Sequence, residues 1–157
     1  MVKESIITFL WSISPFGEAK VGIPYGLAQP ELNKYYVFVL CFVANILVFP
    51  LMVFFLERVN KYLLRWRFYR KIAIKLALRA KYGSKEKIKK YGYFGLIFFV
   101  GLPIPGTGVY VGTIATYILG LDRQKAFWAN VVGIFFSCVI VWTGTILGKD
   151  LFHLIFN

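Results

Sequence analysis

The chain has 157 residues, of which 59% are hydrophobic and 19% aromatic, a composition that excludes an ordinary soluble domain. The formal net charge is +12, which alone would suit a nucleic-acid-binding protein. However, 13 of the 19 lysine and arginine residues lie between Arg58 and Lys90. We therefore interpret the charge as a signal of membrane topology and expect no nucleic acid partner.

Proline and glycine interrupt the first hydrophobic segment of the chain. Ser5–Ile13 is an apolar arm too short to cross a bilayer. A break follows at Pro15–Pro24, and Val21–Gln29 forms a second short arm. A helix broken within lipid leaves backbone N–H and C=O groups unpaired at several kcal/mol each, so we expect the break to line a polar cavity or to be buried in protein.

Two unbroken apolar stretches predict transmembrane helices. Tyr35–Leu56 and Ala126–Leu147 each contain 22 residues without a charge. At about 1.5 Å per residue each helix is about 33 Å long, which exceeds the roughly 30 Å thickness of the hydrocarbon core. Pro50 lies inside the first stretch and should kink that helix near its cytoplasmic end.

The basic region between the two stretches predicts a cytoplasmic linker at 58–91. Apolar and aromatic residues recur at three- and four-residue spacing over Arg58–Tyr82, with lysine and arginine between them. This is the pattern of an amphipathic helix that lies on a membrane surface. Lys85–Lys90 follows as a solvated basic hinge. Because basic loops remain in the cytoplasm, the linker orients the chain in the cell membrane.

The second half repeats the order of the first. Its elements are an arm at Tyr93–Leu102, a break at Pro103–Gly108, a return arm at Val109–Leu119, a turn at Gly120–Arg123 and then the second span. A shift of 89 residues aligns Gly17 with Gly106. The repeats then cover about 5–57 and 92–148. Broken hydrophobic segments at corresponding places in two halves are typical of transporter binding sites.

We predict an all-α integral membrane protein with a single domain, 1–157. It consists of two inverted repeats, each a re-entrant helical hairpin followed by one transmembrane helix, joined by the basic amphipathic helix. The hairpins enter from opposite faces and their tips meet near mid-membrane. The alternative makes 93–119 one kinked span, which moves Arg123 and Lys125 outside, against the charge bias. Two full spans are too few to enclose a pathway, so we expect a homo-oligomer.

Two ionisable side chains, Glu18 and Lys20, lie within the predicted membrane-embedded arms. A charge at membrane depth costs at least about 2.5–3.5 kcal/mol on insertion scales, so it normally has a partner or a role in a pathway. Residues at i and i+2 do not face each other on a helix. Pairing therefore requires an extended or turning backbone, as the neighbouring Gly22 and Pro24 suggest. The pair either couples transport to a proton or cation, or binds a charged substrate group, or is a structural ion pair.

The second break supplies backbone groups rather than charges. Its candidate site residues are Pro103, Pro105, Gly106, Thr107 and Gly108. The N–H groups of Gly106 to Gly108, at the start of a half-helix, favour an anionic group through the helix dipole; the alternative is a tight turn that packs against the other hairpin. Within the two spans, Asn45 and Asn130 either face the cavity or form hydrogen bonds between helices.

No residue pattern points to catalysis or to a cofactor. Cys41 and Cys138 lie inside the two spans, where cysteine is usually a small buried apolar residue. His153 has no second ligand at metal-binding spacing. The sequence contains no phosphate-binding loop, nucleophile–base pair or carboxylate dyad. We therefore expect no enzyme activity, no cofactor and no metal.

Both breaks resemble motifs of the small multidrug export protein family. That family carries a Glu-x-Arg/Lys-x-Gly-Ile/Ala-Pro-x-Gly element, matched here by Glu18, Lys20, Gly22, Pro24 and Gly26. Its Pro-x-Pro-Gly-Thr-Gly element is matched by Pro103 and by residues 105–108. Lys20 departs from the arginine that the family more often has, which weakens bidentate recognition. The family is also distantly similar to the DedA superfamily, whose fold has opposed re-entrant hairpins.

The resemblance implies a small secondary transporter that exports small amphiphilic or cationic compounds, with proton coupling through Glu18 and tuning by Lys20. One alternative is a DedA-like lipid or polyprenyl-phosphate translocase or scramblase, in which Lys20, Arg123 and the N–H groups of the second break bind the head group. Another is a membrane scaffold without transport, whose basic helix recruits partners. In each case membrane lipids surround the protein.

Overall fold

The computed structural model describes residues 1–63, 65–67, 70–71, 74, 85–104 and 108–156, with the backbone alone at 60–61, 63, 85–90 and 150–156. Over these ranges the regular structure is helical and contains no strand, which confirms the all-α prediction. The helices are α1 (Val2–Ile13), α2 (Glu18–Ala28), α3 (Lys34–Leu63), α4 (Lys85–Gly101), α5 (Val109–Ile118) and α6 (Arg123–Phe156).

Helices α3 and α6 are long and apolar enough to cross a membrane, as predicted. Their apolar parts, Lys34–Val59 and Arg123–Lys149, have mean hydropathies of 2.7 and 2.1. Only 33% and 22% of their most apolar stretches are buried within the protein, which is low for core helices of a soluble domain. Large apolar side chains cover the exposed face of α3: Val39, Val43, Leu47, Leu51, Phe54 and Phe55. A surface of this kind requires lipid or protein around it.

The two long helices lie side by side and antiparallel. An ion pair joins Glu57, late in α3, to Arg123 at the start of α6. At the opposite end, the indole Nε1 of Trp142 donates to the carbonyl of Lys34 over 3.1 Å. The late part of α3 and the start of α6 therefore lie at the same end of the bundle.

The short helices form two pairs. In the α1–α2 pair the Tyr25 phenol donates to Glu4 Oε2 over 2.9 Å, which joins the start of α1 to the last turn of α2. In the α4–α5 pair the Asp122 N–H donates to the Tyr93 phenol oxygen over 3.1 Å, which joins early α4 to the turn after α5. The end of the α1–α2 pair opposite its break lies beside the start of α3. The corresponding end of the α4–α5 pair lies beside the start of α6. Because α3 and α6 are antiparallel, the pairs approach each other from opposite ends of the bundle.

The boundary of α2 differs from the prediction. This helix begins at Glu18 and continues through Pro24, so the first break is shorter than the predicted Pro15–Pro24. Proline removes one intrahelical hydrogen bond, but α2 packs against α1, α3 and α6. These contacts keep the segment helical on both sides of the proline.

The basic linker also differs from the prediction at both ends. Helix α3 continues past Leu56 to Leu63, and α4 includes residues 85–90, which the sequence assigned to a hinge. Lysine, arginine and glutamate are good helix formers, so the chain extends each helix into the polar region. Most of the predicted amphipathic helix at Arg58–Tyr82 lies outside the described residues.

The two halves share one pattern of helix contacts and burial. Contacts among α1, α2 and α3 recur among α4, α5 and α6, while α2 packs on α6 and α5 packs on α3. A shift of 89 residues carries buried positions of α3 onto buried positions of α6: Val37/Ala126, Cys41/Asn130, Ala44/Gly133, Asn45/Ile134, Val48/Ser137 and Phe49/Cys138. For α2 and α5 the shift is 90 residues, which pairs Glu18 with Gly108 and Gly22 with Gly112. The halves are thus equivalent in element order, contacts and burial.

Candidate functional site

The two breaks contact each other through a reciprocal pair of hydrogen bonds. The Lys20 ammonium, early in α2, donates to the carbonyl of Ile104 in the second break over 2.7 Å. The Tyr110 phenol, early in α5, donates to the carbonyl of Ile13 at the end of α1. Lys20 and Tyr110 are equivalent under the shift of 90 residues. Each half therefore supplies one donor to the broken end of the other.

Glu18 places a buried carboxyl group at this contact. The residue is 7% exposed, and its Oε2 lies 3.3 Å from Lys20 Nζ. Pairing over two residues depends on the backbone of Glu18, whose φ of 51° lies in the left-handed region, at a cost of roughly 1–2 kcal/mol. The turning backbone that the sequence required for this pair is therefore present.

The first turn of α5 surrounds the Glu18 carboxylate. The backbone N–H groups of Val109 and Tyr110 lie near it, and the helix dipole favours a negative charge at this position. Gly108 precedes them with a φ of 143°, and a Cβ there would lie 2.0 Å from Glu18 Oε2. A carboxyl group from the first half therefore lies at the start of α5.

A small cavity lies beside the carboxylate. Its volume is about 10 Å³, and its polar lining includes Glu18, Lys20, Asn45 and Ser137. Asn45 is 2% exposed, and its Nδ2 donates to the carbonyl of Cys41 over 2.8 Å. A volume of this size is close to that of a single water molecule. The cavity therefore has room for about one water molecule and is too small for an organic compound.

Close helix packing holds both broken segments in place. A Cβ on Gly22 of α2 would lie 1.9 Å from Ser12 Oγ of α1. The equivalent Gly112 of α5 is confined in the same way, because its Cβ would lie 2.7 Å from Val100 Cγ2 and 2.8 Å from Asn130 Oδ1. The predicted site residue Gly22 therefore allows α1 and α2 to approach, and Pro24 follows it within the same helix.

Two other predicted site residues lie outside the cavity beside Glu18. Asn130 is fully buried, and its Nδ2 donates to the carbonyl of Ala126 over 2.8 Å. Its Oδ1 has no hydrogen-bond partner among the residues that the structure describes. Arg123 pairs with Glu57 at the end of the bundle. Neither side chain lines the cavity.

The structure describes the second break in part. Pro103, Ile104 and Gly108 are described, whereas Pro105, Gly106 and Thr107 lie outside the described residues, so the predicted role of the N–H groups of this break stays a prediction. Sequence reasoning missed Tyr110 and the two carbonyls that close the contact. A tyrosine in an apolar helix has the same sequence signature as a core aromatic, and a carbonyl has none.

No metal centre is evident in the described part of the chain. There, no group of three histidine, cysteine, aspartate or glutamate side chains is placed to hold a metal ion. Cys41 and Cys138 are buried free thiols. The chemistry of the site is therefore that of one carboxylate, one ammonium, backbone N–H groups and amide or hydroxyl neighbours.

The fold and the site define a class: a helical protein with two long apolar helices, whose two broken segments meet at a buried carboxylate. The profile of the family described as "Putative small multi-drug export protein" matches residues 18–140. The chain belongs to this family, and the match includes Glu18, all of α3 and α6 as far as residue 140. No significant match was found among curated proteins or among solved structures.

Proposed function

We propose that the protein is a proton-coupled exporter of small cationic or amphiphilic compounds in the cell membrane. The observation that carries the proposal is the buried Glu18 carboxylate, which joins the two halves where both helical segments are broken. Ionisable groups within membrane segments are expensive and mark ion or substrate pathways. Membership of an export family supports the same function.

The proposed architecture is a pair of inverted repeats, in which α1–α2 and α4–α5 are re-entrant hairpins that dip from opposite faces of the membrane. The antiparallel arrangement of α3 and α6 supports it, as does the ion pair between Glu57 and Arg123. A kinked span at 93–119 would separate these two residues by the thickness of the bilayer. The linker 58–91 then lies in the cytoplasm with Arg123, and a homo-oligomer completes the pathway.

In the proposed mechanism, protonation of Glu18 weakens the contact between the hairpins. The ionised carboxylate attracts both the Lys20 ammonium and the N–H groups of α5, and these charge-assisted interactions are lost in the neutral acid. The hairpin tips can then separate, and the small cavity opens toward one face. A cationic compound that binds the deprotonated carboxylate competes with the proton. The compound and the proton therefore exchange with each other at Glu18.

The two predicted alternatives have less support at this site. A phosphate-bearing head group would need the start of α5, but the Glu18 carboxylate already lies against Gly108 there and would repel a second anion. A scaffold would not need a buried ion pair at the contact between its halves. Lipid translocation and a scaffold role are therefore treated as outcomes of the test.

Flux measurements in proteoliposomes test the proposal. The full-length protein is reconstituted, a pH gradient is imposed, and movement of the fluorescent cation ethidium is recorded. We expect gradient-driven flux that Glu18→Gln abolishes. Glu57→Gln is the matched control, because it also neutralises one carboxylate of an ion pair, but at an exposed position; it should retain transport.

Each outcome selects between the functions. Ethidium flux that survives Glu18→Gln would overturn the coupling role of this residue. Flipping of a labelled phospholipid without a gradient would favour the translocase. A folded protein that is inactive in both assays would favour the scaffold.

A further inference from the structure

A second candidate site lies between α3 and α6, apart from the Glu18 contact. It is a groove of about 510 Å³. Four aromatic rings contribute to its lining, and an ion pair lies at one end; the residues are Phe49, Phe54, Phe127 and Trp128, then Glu57 and Arg123. The groove is therefore amphipathic along its length.

The groove extends from the depth of lipid head groups into the hydrocarbon region. Its ion pair lies at the ends of the two apolar segments, because Lys34–Val59 ends just after Glu57 and Arg123–Lys149 begins at Arg123. Trp128 is 65% exposed beside it, and tryptophan is enriched at the membrane–water interface. The aromatic rings lie farther into each apolar segment than the charged groups.

Two guanidinium groups lie at this end of the groove, those of Arg123 and Arg58. The Arg123 side chain remains 64% exposed although it pairs with Glu57, and a guanidinium has five N–H donors. The Arg58 guanidinium lies 5.1 Å from the centre of the Phe54 ring, which lines the groove. An anionic head group complements this charge, whereas a cationic amphiphile would be repelled.

We propose that this groove binds one anionic phospholipid, with its phosphate on Arg123 and an acyl chain along the aromatic rings. The lipid would contact both long helices, so its binding would stabilise their association. The Glu18 site takes no part in this binding. The proposal therefore stands or falls independently of proton-coupled export.

Native mass spectrometry and thermal unfolding of the full-length protein in a non-ionic detergent test the proposal, with phosphatidylglycerol as the probe. We expect one phosphatidylglycerol to bind and to raise Tm. Arg123→Gln should bind it about tenfold more weakly, which is the weight of one charge-assisted hydrogen bond. Lys125→Gln is the matched control: Lys125 is exposed on the same turn of α6 but outside the groove, so binding should be unchanged.

A second variant separates lost binding from lost folding. The double substitution Glu57→Gln and Arg123→Gln leaves no unpaired carboxylate, so it should keep its helical content and its unliganded Tm while binding phosphatidylglycerol about tenfold more weakly. Equal binding of phosphatidylcholine would overturn the proposal. So would an equal rise in Tm with inorganic phosphate, or an equal loss of binding in Lys125→Gln.

Discussion

The carboxylate of Glu18 occupies the space that a Cβ on residue 108 would need, since such an atom would lie 2.0 Å from Oε2. Glu18 and Gly108 are equivalent positions of the two halves under the shift of 90 residues. The first half thus supplies the carboxylate. The second half supplies the space beside Gly108 and the nearby backbone N–H groups of α5.

Gly108→Ala should destabilise the protein by about 2–4 kcal/mol, measured as the free energy of unfolding in detergent. A φ of 143° strains any residue with a Cβ, and the added atom would push the carboxylate away from its donors. Gly144→Ala is the control because nothing lies within 4 Å of its Cβ; it should be neutral or stabilising by about 0.5–1 kcal/mol. An equal loss in both variants would contradict the special role of position 108.

Gly22→Ala should cost about 1–3 kcal/mol, because the new methyl group overpacks the contact with Ser12. In a Ser12→Ala background the same substitution should cost less by at least about 0.5 kcal/mol, which is the coupling expected of residues in contact. Thermal or chemical unfolding of the four proteins completes the cycle. Gly95→Ala, where the Cβ meets open space, should show no coupling to Ser12. Additive effects of Gly22→Ala and Ser12→Ala would contradict the close approach of α1 and α2.

Leu47→Arg should oppose membrane insertion of α3. Leu47 is 43% exposed and lies near the middle of Lys34–Val59, where a charge costs about 3 kcal/mol on insertion scales. An insertion assay on this segment in microsomes should show that loss, whereas Leu47→Ala should change the insertion free energy by less than about 1 kcal/mol. Equal insertion free energies for the arginine and alanine variants would contradict a position of Leu47 near the membrane centre.

Single cysteines should report the relative positions of the helix ends. Arg58→Cys and Gln124→Cys should react with a membrane-impermeant maleimide from the same side of the membrane, and Tyr35→Cys from the other side. All three positions are exposed, while the native Cys41 and Cys138 are fully buried and should stay unlabelled until the protein is denatured. Labelling of residues 58 and 124 from opposite sides would favour the kinked span over two hairpins.

The Glu18–Lys20 pair illustrates what local sequence can predict. The spacing of two residues and the neighbouring proline and glycine required a turn, and Glu18 has a φ of 51°. The N–H donors of α5 and the bond from Tyr110 to Ile13 could not be foreseen in the same way. They join residues about 90 positions apart, and no periodicity in the chain specifies which groups meet.

The long helices were predictable because the length of an apolar run is a local property. Their ends were less so, since α3 passes Leu56 on charged residues that favour helix. The predicted shift of 89 residues relates the buried positions of α3 and α6, whereas α2 and α5 require 90. This difference of one residue between the two shifts becomes visible only when the buried positions of the two halves are compared.

The contact between Glu18 and Gly108 limits the chemistry that a repeated fold can place at its centre. Two equivalent positions touch there, so identical residues at both would face their own copies. Two glutamates would oppose like charges, and two glycines would offer donors without an acceptor. A dimer of identical half-length chains could therefore not build this site. Joining both halves in one polypeptide is what lets the two positions carry different residues.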